Sequence, residues 1–159
     1  MATNALRTYI ARSGTSATNT TGVSLTAATA KSVVGCLGAS SDTITMMRVK
    51  ISFSSATATD APATVELGII SALGTMTSFT PVQWSGSSLA SSATAGYNAT
   101  VEPTYTRIVD SMYIPVFNGA YAEWIPLGME PQVGASTGFA IRITSPAAAT
   151  CLASILFGE

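Results

Sequence analysis

The sequence predicts a single all-β domain, an antiparallel β-sandwich of jelly-roll type with an extended N-terminal arm. Three observations carry this prediction. Apolar and polar residues alternate along several segments, turn-forming Gly, Pro and Ser residues recur between them, and no segment shows a helical stripe of four turns. A length of 159 residues is that of one domain. We therefore divide the chain into an arm, residues 1–22, and a sandwich domain, residues 23–159.

The arm has no pattern that predicts an element of a core. Apart from Met1, its larger side chains are Leu6, Arg7, Tyr9, Ile10 and Arg12, and the rest is small or polar. Ordering a segment costs about 1–2 kcal/mol per residue, which so little apolar surface does not offset. We expect the three apolar side chains to anchor the arm on a neighbouring subunit, by strand addition, with the two arginines meeting acidic groups at the rim. The alternative is a disordered tail.

Two segments show the period-two alternation of a strand with one buried face, residues 44–54 and residues 139–144. The expected core side chains of these segments are Met47, Val49, Ile51, Phe53, Phe139, Ile141 and Ile143. Residues 65–70 and 151–157 are apolar on both parities, which predicts strands that are covered on both faces.

An Asn118-Gly119 pair separates two further apolar runs, residues 112–117 and 120–124. Both residues tolerate positive φ, so the pair predicts a type I′ hairpin. Pro115 interrupts the first run and indicates an edge strand or a bulge. Seven to nine short strands of this kind fit an antiparallel sandwich or a jelly roll.

Charged residues make up 9% of the chain, against about 25% of an average globular domain. A net charge of −1 with scattered cations argues against a nucleic-acid partner, because phosphate binding needs a basic stripe. The residues at the start predict no secretory leader, and no run of about 18 apolar residues occurs, so no membrane partner is expected. A surface with few charges is poorly protected against association. We therefore expect a homo-oligomer within a larger assembly.

Residues suited to catalysis are sparse. Histidine is absent, which removes the commonest general base and the commonest metal ligand. Lys31-Ser32 is a lysine beside an abundant residue type and specifies no Ser–Lys dyad. The eight acids are dispersed, without the spacing of a calcium loop or of a glycosidase pair. We expect no enzyme activity, no cofactor and no metal.

Cys36 and Cys151 lie in apolar stretches, far apart and without a CxxC spacing. The favoured interpretation is two buried free thiols that pack as small hydrophobic side chains. A disulfide between the first and last strands is the alternative.

Trp84 is the aromatic residue that the sequence marks as exposed, because it precedes the small polar stretch 85–88. An exposed indole is the side chain on which a sugar ring stacks, so Trp84 is a candidate for carbohydrate binding. Trp124 follows the predicted hairpin and precedes Pro126, so we expect it to pack in the core or at an interface.

Several segments of the chain form a distinctive set. They are residues 25–32, 65–67, 74–75, 80–83, 102–104 and 141–144 and, above all, Trp124-Ile125-Pro126-Leu127-Gly128-Met129-Glu130-Pro131. Through these segments, which span residues 23–157, the chain resembles small virion structural proteins of tailed bacteriophages, particularly those that infect actinobacteria. That group includes capsid decoration (minor capsid) proteins. The resemblance does not cover the arm.

The resemblance implies a protein that is made in the host cytoplasm and incorporated into the virion, on the capsid surface. Its partners would be further copies of itself, in a trimer, and the major capsid protein or other virion subunits. Three functions follow as hypotheses: a capsid decoration protein that stabilises the head, a tail or baseplate component, and a carbohydrate-binding receptor protein that uses Trp84.

Overall fold

Two antiparallel sheets pack face to face in the computed structural model, which describes residues 7–14, 22–55, 61–85 and 89–159. The predicted all-β sandwich is therefore confirmed, while its jelly-roll connectivity stays a prediction. The described residues form thirteen strands, more than the pattern indicated, because several strands are too short to show alternation. No helix among these residues is long and apolar enough to cross a membrane.

Sheet A contains seven strands: β1 (Thr8–Arg12), β2 (Val23–Leu25), β4 (Ile44–Ser54), β7 (Val82–Ser85), β10 (Ala120–Trp124), β11 (Gln132–Val133) and β13 (Ala149–Gly158). Its order is β10-β4-β13-β1-β7, with β11 paired to β4 and β2 paired to β13. Sheet B contains β3 (Ala30–Leu37), β5 (Ala63–Ala72), β6 (Thr75–Phe79), β8 (Thr94–Val101), β9 (Thr104–Ile114) and β12 (Gly138–Thr144), in the order β6-β8-β3-β12-β5-β9.

The hydrophobic core lies between the two sheets, because alternate residues of each strand point inward. Its largest fully buried side chains include Tyr9, Phe139, Phe157, Ile51, Ile141, Ile143 and Ile155. The segments 65–70 and 151–157 are buried along most of their length on both parities, as their composition predicted.

Strand β4 carries one correction to the predicted alternation. Leu156 pairs with Arg48 and the next residue, Phe157, pairs with Met46, so Met47 is the extra residue of a bulge. A one-residue shift exchanges the two faces of a strand. Met46 is therefore fully buried in the core, whereas Met47, which the pattern assigned to the core, is only half-buried.

Residues 8–12 were expected to lie in a separate arm, and this expectation is wrong, because they form β1 inside sheet A. The strand pairs with β13 on one side and with β7 on the other. Tyr9 is fully buried with its ring centroid 6.0 Å from that of Phe157, and its hydroxyl donates to the Leu89 carbonyl at 3.1 Å. Ile10 is also buried. Both side chains thus pack within this chain and not on a neighbouring subunit.

The other candidate anchor residues of the arm have different positions. Arg7 is exposed, and its backbone exchanges hydrogen bonds of 3.3 and 3.0 Å with the backbone of Glu159. Arg12 is half-buried and ends β1. Leu6 lies outside the described residues, as does much of the predicted arm.

The predicted Asn118-Gly119 hairpin is wrong, because β9 and β10 belong to different sheets. Asn118 adopts a φ of 54° and helps turn the chain from sheet B to sheet A. Gly119 is needed because a Cβ there would lie 1.8 Å from the Pro115 carbonyl oxygen. The Gly119 carbonyl accepts a 2.8 Å hydrogen bond from the Phe53 N–H, which ties the connection to sheet A.

Candidate functional site

The residue types that support catalysis do not converge in the described part of the chain. No three His, Cys, Asp or Glu residues there are placed to hold a metal ion. The Lys31 ammonium donates to the Ser24 carbonyl at 3.4 Å, and Ser32 is fully buried. Lys31 and Ser32 therefore do not form the accessible dyad that a nucleophilic serine needs.

Cys36 and Cys151 are free thiols, as the favoured interpretation predicted. Cys36 lies on β3 and Cys151 on β13, and both are fully buried. Burial raises the pKa of each thiol to about 12. Because the thiolate is the reactive form, both cysteines are inert packing residues at neutral pH.

A polar network crosses the outer face of sheet B. The Arg142 Nε donates to Glu66 Oε2 at 2.8 Å, and the guanidinium lies 4.8 Å from the centroid of the Tyr105 ring. The hydroxyls of Tyr105 and Ser32 are 2.7 Å apart. The Ser32 N–H donates to both carboxylate oxygens of Glu102, at 3.0 and 3.1 Å. The network thus links four neighbouring strands, β9, β5, β12 and β3, to the end of β8.

The protonation states of Tyr105 and Arg142 suit a network that stabilises the sheet. Burial raises the pKa of Tyr105 to about 12, against a smaller lowering by its hydrogen bond with Ser32. The hydrogen bond with Glu66 raises the pKa of Arg142. The phenol therefore stays protonated and the guanidinium stays charged across the physiological range. Neither group is poised near neutrality, as a general acid or base would be.

Two exposed tryptophans flank an arginine on the outer face of sheet A. The guanidinium carbon of Arg48 lies 4.8 Å from the Trp84 ring centroid and 4.7 Å from the Trp124 ring centroid. The indoles are 53% and 58% exposed, respectively. We call these three side chains the Trp–Arg–Trp stack. Cation–π contacts of this length orient all three groups.

The stack crosses one row of paired residues. Arg48 pairs with Trp124 on β10 and with Leu156 on β13, and Leu156 pairs with Ile10 on β1. Trp84 lies on β7, beyond β1, so its contact with Arg48 extends above Leu156 and Ile10. Both aliphatic side chains are buried although they are not part of the inter-sheet core.

A second exposed region lies along the edge formed by β9, β10 and the residues that follow each strand. β9 and β10 are edge strands joined by residues 115–119, so they border the same side of the sandwich. Apart from Trp124, which belongs to the Trp–Arg–Trp stack, the exposed large apolar side chains of this region are Ile108, Val109, Tyr113, Phe117, Leu127 and Met129. We call this region the apolar edge.

A tight turn at residues 126–129 projects from the apolar edge. The Met129 N–H donates to the Pro126 carbonyl at 2.9 Å, and Gly128 has a φ of 88°, as the third residue of a type II turn requires. The Gly128 N–H donates to Glu130 Oε2 at 2.5 Å. Leu127 is 93% exposed and Met129 is 73% exposed. The turn thus holds two apolar side chains in water in a fixed conformation.

Of these two exposed regions, the sequence predicted only part of the Trp–Arg–Trp stack. It indicated an exposed Trp84, but it placed Trp124 in the core or at an interface. The stack was missed because strand order brings its three residues together from β4, β7 and β10. The apolar edge was also missed, although Leu127 between Pro126 and Gly128 is a local signal of an exposed turn.

No protein-family model matches the chain, and comparison with curated proteins and with solved structures gives no match.

Proposed function

We propose that the chain is a non-catalytic structural subunit of a tailed-phage virion, namely a capsid decoration protein that binds the outside of the head and stabilises it. The observation that carries this proposal is the apolar edge. Several large apolar side chains exposed along one edge of a protein are typical of an interaction site. The virion assignment is supported by the resemblance of residues 23–157 to small phage structural proteins.

The apolar edge is the contact between copies of this chain, which form a trimer. A subunit that is made in the cytoplasm meets its own copies before it meets a head, and self-association covers exposed apolar side chains at once. A cyclic trimer needs a head-to-tail contact, in which one patch fits a different patch on the neighbour. A rigid turn that presents Leu127 and Met129 is suited to insertion into such a patch.

Low surface charge supports the same function. With charged residues at 9% of the chain, little repulsion opposes close packing of subunits. Each standard contact buries about 800 Å² per partner. Additional contacts of this size between capsid subunits resist the outward load of packaged DNA, which is what a decoration protein supplies.

The test is sedimentation of the purified chain, followed by binding to heads that lack it. We expect a trimer that pellets with the heads and saturates. The double substitution Leu127→Ser and Met129→Ser should yield monomers and reduce head occupancy. Val101→Ser is the matched control, because Val101 is exposed on β8, toward the opposite edge of sheet B. A wild-type monomer that leaves heads unoccupied would refute the proposal.

A further inference from the structure

The described outward-facing strand positions of sheet A carry positive charges and no negative ones. They include Arg48 and Lys50 on β4 and Arg12 on β1. Glu123 lies on β10, but it pairs with the inward-facing Val49 and accepts the hydroxyl of Tyr121. Neither Arg48 nor Lys50 forms an ion pair with a described residue. The charges of Arg48 and Lys50 are therefore available to an external anion.

The same face has an aromatic platform beside these cations. Trp84 and Trp124 hold the Arg48 guanidinium between them and remain more than half exposed. The Arg48 Nε is buried and has no hydrogen-bond partner among the described residues. The free faces and edges of the indoles can pack against the C–H face of a sugar ring, while the cations beside them pair with an acidic group.

Hydroxyl groups line the floor that continues from this platform. Along β4 and β13, a shallow recess is bordered by Lys50, Ser52, Ser154 and Leu152, and it continues toward Ser54 and Thr150. From Arg48 to Ser54 the strand advances six residues, roughly 20 Å at about 3.4 Å each. An extended polymer can therefore contact the platform and the hydroxyls together.

We propose that the outer face of sheet A binds an anionic polysaccharide, a chain of sugar rings that carries carboxylate or phosphate groups. Arg48 and Lys50 pair with the anionic groups, the indoles stack on sugar rings, and the strand hydroxyls exchange hydrogen bonds with sugar hydroxyls. This site is distinct from the apolar turn, and its function does not depend on the virion assignment.

The composition of the face favours a polysaccharide over other polymers. Protein–protein interfaces are depleted in Ser, Ala and Lys. These residue types occupy outward-facing strand positions of sheet A outside the Trp–Arg–Trp stack, including Ala120 and Ala122 on β10. A nucleic acid presents a phosphate on every nucleotide, and its binding depends on many cations. The described strand positions of this face include three, Arg12, Arg48 and Lys50, and Arg12 already has an interaction partner.

The test uses the intrinsic fluorescence of the protein, because both tryptophans of the chain belong to the stack. Polygalacturonate supplies carboxylates and phosphomannan supplies phosphates, while neutral dextran is the uncharged control. We expect a saturable fluorescence change with at least one anionic polymer and none with dextran. Binding should weaken about tenfold in Arg48→Gln, and also in Lys50→Gln, because charge-assisted hydrogen bonds are lost.

Arg107→Gln is the matched control, because Arg107 is an exposed cation on β9 of the other sheet. It should bind the polymer as the wild type does. Lys50 is exposed, so its substitution tests the site even if Arg48→Gln fails to fold. The proposal is overturned by three results: no response to either anionic polymer, equal binding by Lys50→Gln, or tighter binding of an oligothymidylate than of both polysaccharides.

Discussion

Gly68 on β5 determines where the Tyr105 ring lies. A Cβ at Gly68 would approach the Tyr105 Cδ1 to 2.4 Å, so only glycine lets the ring lie flat across the outer face of sheet B. From there the ring reaches both Arg142 and Ser32. The absence of a side chain at Gly68 thus makes room for the network that links the strands of this sheet.

Stability should fall at alkaline pH because protonated groups are buried. The pKa values of Cys36, Cys151 and Tyr105 are raised to about 12, against ordinary values of 9.0 for the thiols and 10.0 for the phenol. Below pH 9 these groups are protonated in both states, and their contribution to stability is complete. As pH rises from 9 toward 12, the unfolded chain releases protons that the native chain retains, so the free energy of unfolding decreases.

Urea unfolding between pH 7 and pH 11 measures this decrease. The double substitution Cys36→Ala and Cys151→Ala should make the curve less steep between pH 9 and pH 10, where the thiols, with the lower ordinary pKa, contribute most. An equally steep curve in that variant would show that other groups are responsible. In the wild type at pH 8, neither thiol should react with iodoacetamide until the protein unfolds.

β1 is an element whose importance the sequence did not reveal, and Tyr9 is its principal contact with the core. Tyr9→Ala should destabilise the fold by about 3–5 kcal/mol, because it empties a packed aromatic site. Tyr9→Phe is the control, since it removes only the hydrogen bond to Leu89 and should cost about 1 kcal/mol. Denaturant unfolding measures both values. If Tyr9→Ala and Tyr9→Phe lowered the free energy of unfolding equally and only slightly, β1 would not contribute to the folded core.

The bulge in β4 predicts that two adjacent methionines contribute differently to stability. Met46→Ala should cost about 2–5 kcal/mol because Met46 is fully buried, and Met47→Ala should cost less than about 1 kcal/mol because Met47 is half-buried. The two substitutions remove the same atoms, so only position distinguishes them. The reverse order of the two losses in denaturant unfolding would place the strand in the unbulged register that alternation alone indicates.

For the whole molecule, local sequence patterns predicted the two-sheet sandwich but not the order in which its strands pair. The alternation along residues 44–54 and 139–144 is local, and so it identified both strands. The pairing of β1 with β13 joins opposite ends of the chain, and the placement of β9 and β10 in different sheets depends on tertiary packing. The Trp–Arg–Trp stack depends on that strand order, which explains why the sequence yielded only the exposure of Trp84.

The most direct test of the proposed function is a cryo-electron microscopy map of the virion that contains this chain. We expect the sandwich on the outer surface of the head as a trimer, with the turn at residues 126–129 buried at the contact between copies. Density for the chain in the tail or baseplate, or its absence from the particle, would contradict the assignment as a capsid decoration protein.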